Sequence, residues 1–208
     1  MNDALSAIKE LKRDGLWGAL SFEIANFLGD EISKTGKYME WGAGSSTRLV
    51  SRLNIEWARC IETDRFWIEQ LKKDEKINEA TNSGRLEIRH IDLGPTKQWG
   101  YPINPVSRFT SRSYHLSQVV EASIELNGEP VVIFIDGRFR IACALACFGL
   151  MPKGSVVLVD DYANRNSYHV LEKVCDLESM IGRAAKFLVG NATSSWATYF
   201  QEFEMSPQ

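Results

Sequence analysis

Six carboxylates in this chain share one kind of position: Glu40, Glu62, Asp92, Asp136, Asp160 and Asp161 each end, or closely follow, a short run of strand-forming residues. In an open parallel sheet, ligands bind beyond the carboxyl ends of the strands, so acids at successive strand ends converge on one rim. Carboxylates gathered there can accept hydrogen bonds from a sugar diol or take a proton. Directly after Glu40 comes Gly42-Ala43-Gly44-Ser45-Ser46-Thr47. Its glycines let the backbone turn tightly and approach a ligand that a Cβ would obstruct, and the next helix presents its N-terminal amides to negative groups. Arg138 and Arg140 follow the fourth acid, Asp136. They either pair with the neighbouring aspartates or clamp an anionic substrate through a bidentate fork. Of the three histidines, His90 falls inside a strand and reads as structural, while His115 and His169 lie near the rim as candidate general bases. Trp99, in an irregular Pro/Gly loop, is better placed to cover a ligand than Trp41, which adjoins a core strand.

Elements that must position these groups follow from periodicity. Residues 3–13 and 18–34 read as helices, the second closed by Gly36. Strands are predicted over 37–41, 57–62, 86–91, 131–135 and 155–159, with helices over 45–53, 65–76 and 139–150 between them. The continuous apolar runs 131–135 and 155–159 suit central parallel strands covered on both faces. Residues 184–189 and 197–203, separated by a polar turn, suit an antiparallel pair and bring the count to seven strands. The expected architecture is an α/β, Rossmann-like, doubly wound sheet, mostly parallel with an antiparallel C-terminal strand. Residues 1–36 form a helical cap and 37–208 the core of one domain. Residues 92–114, with Pro95, Pro102 and Pro105, carry no sustained period, and long loops of this kind are often functional.

Composition removes several function classes. Lys and Arg number 24 against 27 Asp and Glu, without long blocks of either sign, which argues against nucleic-acid binding through bulk charge. No apolar stretch reaches membrane-spanning length, and the N-terminus reads as an amphipathic helix rather than a signal peptide, so a soluble cytoplasmic protein is expected. Cys60, Cys143, Cys147 and Cys175 lack CxxC spacing, and the i,i+4 pair Cys143/Cys147 sits in an all-apolar segment that favours packing over metal binding.

The glycine loop departs from the dinucleotide fingerprint: Thr47 stands where a third glycine belongs, and an acid precedes the loop. Glu40, Gly42 and Gly44 instead resemble the first motif of class I S-adenosylmethionine-dependent methyltransferases, with Ser46 where that family often has glycine. The resemblance implies that the loop, Ser46 included, binds S-adenosylmethionine, that Glu62 holds the ribose hydroxyls, with Asp64 as substitute, and that Asp92 lies beside the adenine. Nearly the whole chain is similar to small bacterial methyltransferase-like proteins of unassigned substrate. The similarity runs through Asp92-Leu93-Gly94-Pro95-Thr96 with Trp99-Gly100-Tyr101-Pro102, then Asp136-Gly137-Arg138-Phe139-Arg140, then Asp160-Asp161-Tyr162.

In the resembled fold, the strands ending at Asp136 and Asp160 are neighbours about 4.8 Å apart. Asp136, Asp160 and Asp161 could there hold a divalent metal, as in catechol-type and macrocin-type O-methyltransferases, although Asp160-Asp161 replaces the catechol type's Asp-Asn and the two arginines would compete. Methyl transfer to a small-molecule oxygen is the reading implied, with Asp136, Asp160, Asp161 and His169 as catalytic candidates and Trp99, Arg138 and Arg140 against the substrate. A cofactor-binding regulatory module is the alternative, and an NAD-dependent oxidoreductase is the reading that Thr47 disfavours.

Overall fold

The computed structural model describes residues 3–190 and 192–207. Its strands are β1 (Lys37–Trp41), β2 (Trp57–Glu62), β3 (Leu86–His90), the two-residue pair β4 (Thr96–Lys97) and β5 (Tyr101–Pro102), β6 (Val132–Ile135), β7 (Val156–Val159), β8 (Leu177–Ile181) and β9 (Ala184–Leu188). Seven form one sheet in the order β3-β2-β1-β6-β7-β9-β8. β3, β2, β1, β6 and β7 pair in parallel, and β9 runs antiparallel to both β7 and β8. The order reverses at β1, so its carboxyl end lies at the switch point where a crevice opens.

Alternation along the strands divides the core into two layers. Met39, Trp41, Ile133, Ile135, Val157 and Val159 face one side, packed with residues of α7 (Leu116–Leu126), α8 (Arg140–Leu150) and α9 (Trp196–Phe203). Tyr38, Ala58, Cys60, Val132, Phe134 and Leu158 face the other. That side is covered by α1 (Asp3–Arg13), α2 (Phe22–Thr35), α3 (Ser45–Val50), α4 (Arg65–Leu71) and α5 (Glu75–Asn82), while α6 (Arg108–Tyr114) packs with α7 on the first side. All four residues of β6 and of β7 are buried, as strands covered on both faces require. The four cysteines are free and buried. Among the described residues, no helix is long and apolar enough to cross a membrane.

Boundaries follow local chemistry. α2 begins at Phe22, not 18, because Ser21 is extended and its hydroxyl accepts from the Ile24 amide. Gly36 closes it at φ 66, as expected. One element differs in kind: residues 197–203, expected to be a strand, lie in α9. Trp196 packs so closely on Gly149 of α8 that a Cβ there would come within 2.2 Å of the indole. The strand pairing with β9 is β8, joined by the turn at Gly182-Arg183. The antiparallel strand is therefore second from the sheet edge, with β8 outermost. This hairpin turns at the carboxyl end of β7, since Ala185 pairs with Val159.

Candidate functional site

The loop after β1 is held from below. Glu40 is fully buried, and its carboxylate accepts hydrogen bonds from the Tyr38 hydroxyl (2.7 Å) and from the hydroxyls of Ser46 and Thr47. Thr47 Oγ1 in turn accepts from the Gly44 amide at 2.8 Å. Burial raises the Glu40 pKa, against the lowering effect of these donors and of the Cys60 thiol. Glu40 and Ser46, expected at the cofactor, thus face into the protein and fix the loop's shape. Gly42 has φ 93, and a Cβ on it would meet the Asp136 carbonyl carbon at 2.9 Å and the Gly137 amide at 2.8 Å. That glycine lets the loops after β1 and β6 touch. Gly44 differs: its backbone is extended, and a Cβ there would meet nothing within 4 Å. The two glycines divide the work, one for packing and one beside open space.

At the end of β2, Glu62 Oε1 accepts from the amides of Thr63 (2.6 Å) and Asp64 (2.9 Å), while Oε2 has no partner among the described residues. Burial raises its pKa, partly offset by those amides. Asp64 is committed elsewhere, capping α4 through the Trp67 amide. Asp92 is exposed after β3 and accepts from the Gly94 amide at 2.8 Å. It lines a cleft of about 330 Å³ that also touches Pro95, Asn104, Val106 and Thr110. A larger cleft, about 670 Å³, lies between α1 and α3–α5, where Arg48 and Arg52 already pair with Asp74; none of the six acids lines it.

Asp136, Asp160 and Asp161 do come together, with one oxygen of each within 4.8 Å of the others. Guanidinium groups occupy their lone pairs. Arg140, buried, reaches Asp136 Oδ1 (2.8 Å) and Asp161 Oδ2 (3.1 Å) and donates to the main-chain carbonyls of Asp136, Gly137 and Asp160. Arg183, from the β8–β9 turn, grips both oxygens of Asp160 at 2.8 and 2.6 Å, and Arg165 reaches Asp161 at 3.0 Å. Three cations thus balance three carboxylates, and a divalent ion would have to displace them, so this donor set does not fit a metal. Arg140 is likewise spent on the acids and is not available as a substrate clamp. Burial alone would raise the Asp160 pKa, but Arg183 holds it down. Asp136 behaves oppositely: burial, with Asp160 and Asp161 adding to it against Arg140, pushes its pKa up to about 7.

Arg138 stands apart. It is buried, its guanidinium lies 4.7 Å from the centre of the Tyr101 ring, and its Nε has no partner. Its backbone amide donates to the Tyr114 hydroxyl at 3.0 Å. The irregular segment crosses the rim: Gly100 sits against Thr63 at the end of β2, Tyr101 reaches Arg138 after β6, and Trp99 is 84% exposed with φ 65. The histidines are not bases of this cluster. His115 is fully buried, with Nδ1 accepting from the Leu116 amide and Nε2 3.0 Å from the Glu204 carbonyl; burial lowers its pKa to about 4. His169 is exposed, stacked on Tyr162, with no hydrogen bond to the acids among the described residues. His90 Nε2 lies 3.1 Å from the Thr63 carbonyl, and Trp41 donates its indole N–H to the Tyr114 carbonyl, both structural contacts.

No protein-family model matches the chain, and no curated protein matches it. Among solved structures, a methyltransferase-like protein from Silicibacter pomeroyi superposes with a TM-score of 0.75 at 25% identity, over 91% of this chain and 97% of that one. The chain shares the fold of this methyltransferase-like protein. A methyltransferase from Geobacter sulfurreducens (TM-score 0.50, 12% identity, 90% of this chain and 89% of that one) and the cofactor-bound Rv0187 from MTB (0.51, 17%, 91% and 90%) share the fold alone. On this methyltransferase fold, sequence reasoning missed Tyr101, Tyr114, Tyr168, Arg165 and Arg183. Arg183 pairs with an acid 23 residues away and Tyr114 braces a loop 24 residues away, separations that leave no local pattern. Tyr101 alone had a signal, being beside Trp99 in the irregular segment.

Proposed function

We propose that this protein binds S-adenosylmethionine at the loop after β1 and transfers its methyl group to an oxygen of a small-molecule acceptor. The observation that carries the reading is the pairing of open space over Gly44 with a free Glu62 oxygen at the next strand end. A carboxylate with one oxygen fixed by amides and the other unpaired suits a ribose diol. Asp92 and the cleft beside it suit the adenine. Glu40, Ser46 and Thr47 act through the loop, keeping Gly44 in place.

Bound S-adenosylmethionine supplies an activated methyl group, which passes to the acceptor oxygen as its C–S bond breaks and a C–O bond forms. The chain's own work is alignment, exclusion of water and removal of the acceptor's proton. Asp136 is the group for the last task, because its pKa near 7 lets it both take a proton and release it to solvent at neutral pH. Trp99, exposed on a left-handed backbone, is placed to fold over a bound acceptor. Asp160, Asp161 and Arg140 hold the rim's geometry and field rather than meeting the acceptor.

The ion pairing of all three acids also favours a second reading, a binding module without turnover. Mass-spectrometric detection of S-adenosylhomocysteine formed with a panel of phenols and hydroxy acids separates the two. Turnover that is lost in Asp136→Asn supports the enzyme; saturable cofactor binding with no product across the panel supports the module.

A further inference from the structure

Ion pairing at the rim leaves one cation over. Asp136, Asp160 and Asp161 are matched by Arg140, Arg165 and Arg183, whereas no side-chain hydrogen bond or ion pair joins Arg138 to another described residue. Four buried side-chain polar atoms lack partners among the described residues, and two of them, Arg138 Nε and the Tyr168 hydroxyl, belong to this one place. Tyr168 lies close enough to Arg138 for each to bias the other's charge. A buried cation is costly unless something pairs with it, and a guanidinium presents five donors in a planar fork that matches a carboxylate. The Tyr101 ring at 4.7 Å supports one face of that fork without using its N–H groups. Burial and the nearby Arg140 both lower the Arg138 pKa, the sign of a charge in want of an anion.

We propose that Arg138 receives the carboxylate of a monoanionic acceptor beside the Tyr101 ring and the Tyr168 hydroxyl, two residues beyond Asp136 on the same strand-end loop. The proposal rests on the methyl-transfer reading above. A single negative charge is specified because Asp136, Asp160 and Asp161 stand at the same strand ends, where a dianion would meet more repulsion than a carboxylate.

The test uses the ¹⁵N-labelled full chain and its arginine Nε–H resonances, with benzoate as the probe, benzyl alcohol as its neutral counterpart, phenyl phosphate as the dianion, and sodium chloride at matched ionic strength. Calorimetry with S-adenosylhomocysteine runs alongside. Benzoate is expected to shift one guanidinium resonance saturably, and benzyl alcohol and chloride to leave it unmoved. Arg138→Gln should remove the response. Tyr168→Phe, which deletes an unpaired hydroxyl and so keeps the fold, should weaken it by roughly three- to tenfold. S-adenosylhomocysteine affinity should stay within about threefold in both variants. A benzoate response that survives Arg138→Gln, equal shifts with benzyl alcohol, or tighter binding of phenyl phosphate would overturn the proposal. A collapse of S-adenosylhomocysteine affinity in Arg138→Gln would also overturn it, by assigning the guanidinium to the cofactor. If the wild type ignores S-adenosylhomocysteine yet answers benzoate as described, the methyl-transfer reading fails and the anion site stands.

Discussion

Adding one methyl group at Gly42 and at Gly44 should have opposite consequences. At Gly42 the backbone has φ 93, where an L-residue pays about 1–2 kcal/mol. The new Cβ would also meet backbone atoms of Asp136 and Gly137 at 2.8 to 3.0 Å, a clash that no side-chain rotation relieves. Overpacking of this kind adds about 1–3 kcal/mol, so Gly42→Ala should lose about 2–5 kcal/mol of stability. For a chain of this length that is a fall in Tm of roughly 4–20 °C. Gly44→Ala meets nothing within 4 Å on an extended backbone and should change stability by no more than about 0.5 kcal/mol. The same methyl group would fill the space assigned to the cofactor and weaken S-adenosylhomocysteine binding roughly tenfold to hundredfold. Urea unfolding and calorimetric titration of both variants measure the two effects. Equal loss of stability at the two positions, or full cofactor affinity in Gly44→Ala, would refute the division of labour.

Asp136 should govern the pH dependence of catalysis: kcat/KM should rise with pH through about 7 in the wild type and be flat there in Asp136→Asn, the apparent value belonging to the acid cluster as a whole. Its raised pKa also means that its contribution to stability, full below about pH 4, is lost as pH rises through 7, so Asp136→Asn should flatten that decline in denaturation curves. His115 has the opposite sign. Its pKa is lowered from 6.5 to about 4, so folding loses on the order of 3 kcal/mol as pH falls through that window, and His115→Gln should unfold less readily on acidification from pH 7 to 5 than it would with the histidine, relative to its own stability at pH 7. Because arginines fill the acid cluster, magnesium should raise Tm no more than a salt control, and EDTA should leave turnover intact. A metal-dependent Tm shift abolished by Asp160→Asn would contradict this.

The parts of the fold that were legible in the sequence are those whose signal is local. Four-residue apolar strands ending in Asp, a glycine loop after an acid, and the capping of α2 by Gly36 depend on a few neighbouring residues. The strand expected over 197–203 from its short polar link to 184–189 is a helix instead. Trp196, Tyr199, Phe200 and Phe203 in fact recur at i, i+3, i+4 and i+7, the helical period by which α9 meets α8. β8 escaped because its residues are mostly exposed and carry no strong alternation. At the site, the sequence placed six acids on one rim but could not sort them. Glu40 turns to the loop through three nearby hydroxyls, a choice that residue types alone do not settle, and whether Arg138 or Arg140 is the free cation depends on side-chain pairing across 20 or more residues.

The central claim is a nucleoside cofactor site with Glu62 on the ribose. Calorimetric titration of the wild type and Glu62→Gln with S-adenosylmethionine tests it most directly. Saturable one-to-one binding is expected, weakened roughly tenfold or more in the variant with stability preserved to within about 1 kcal/mol. No heat with S-adenosylmethionine, accompanied by saturable binding of NADH, would contradict the account.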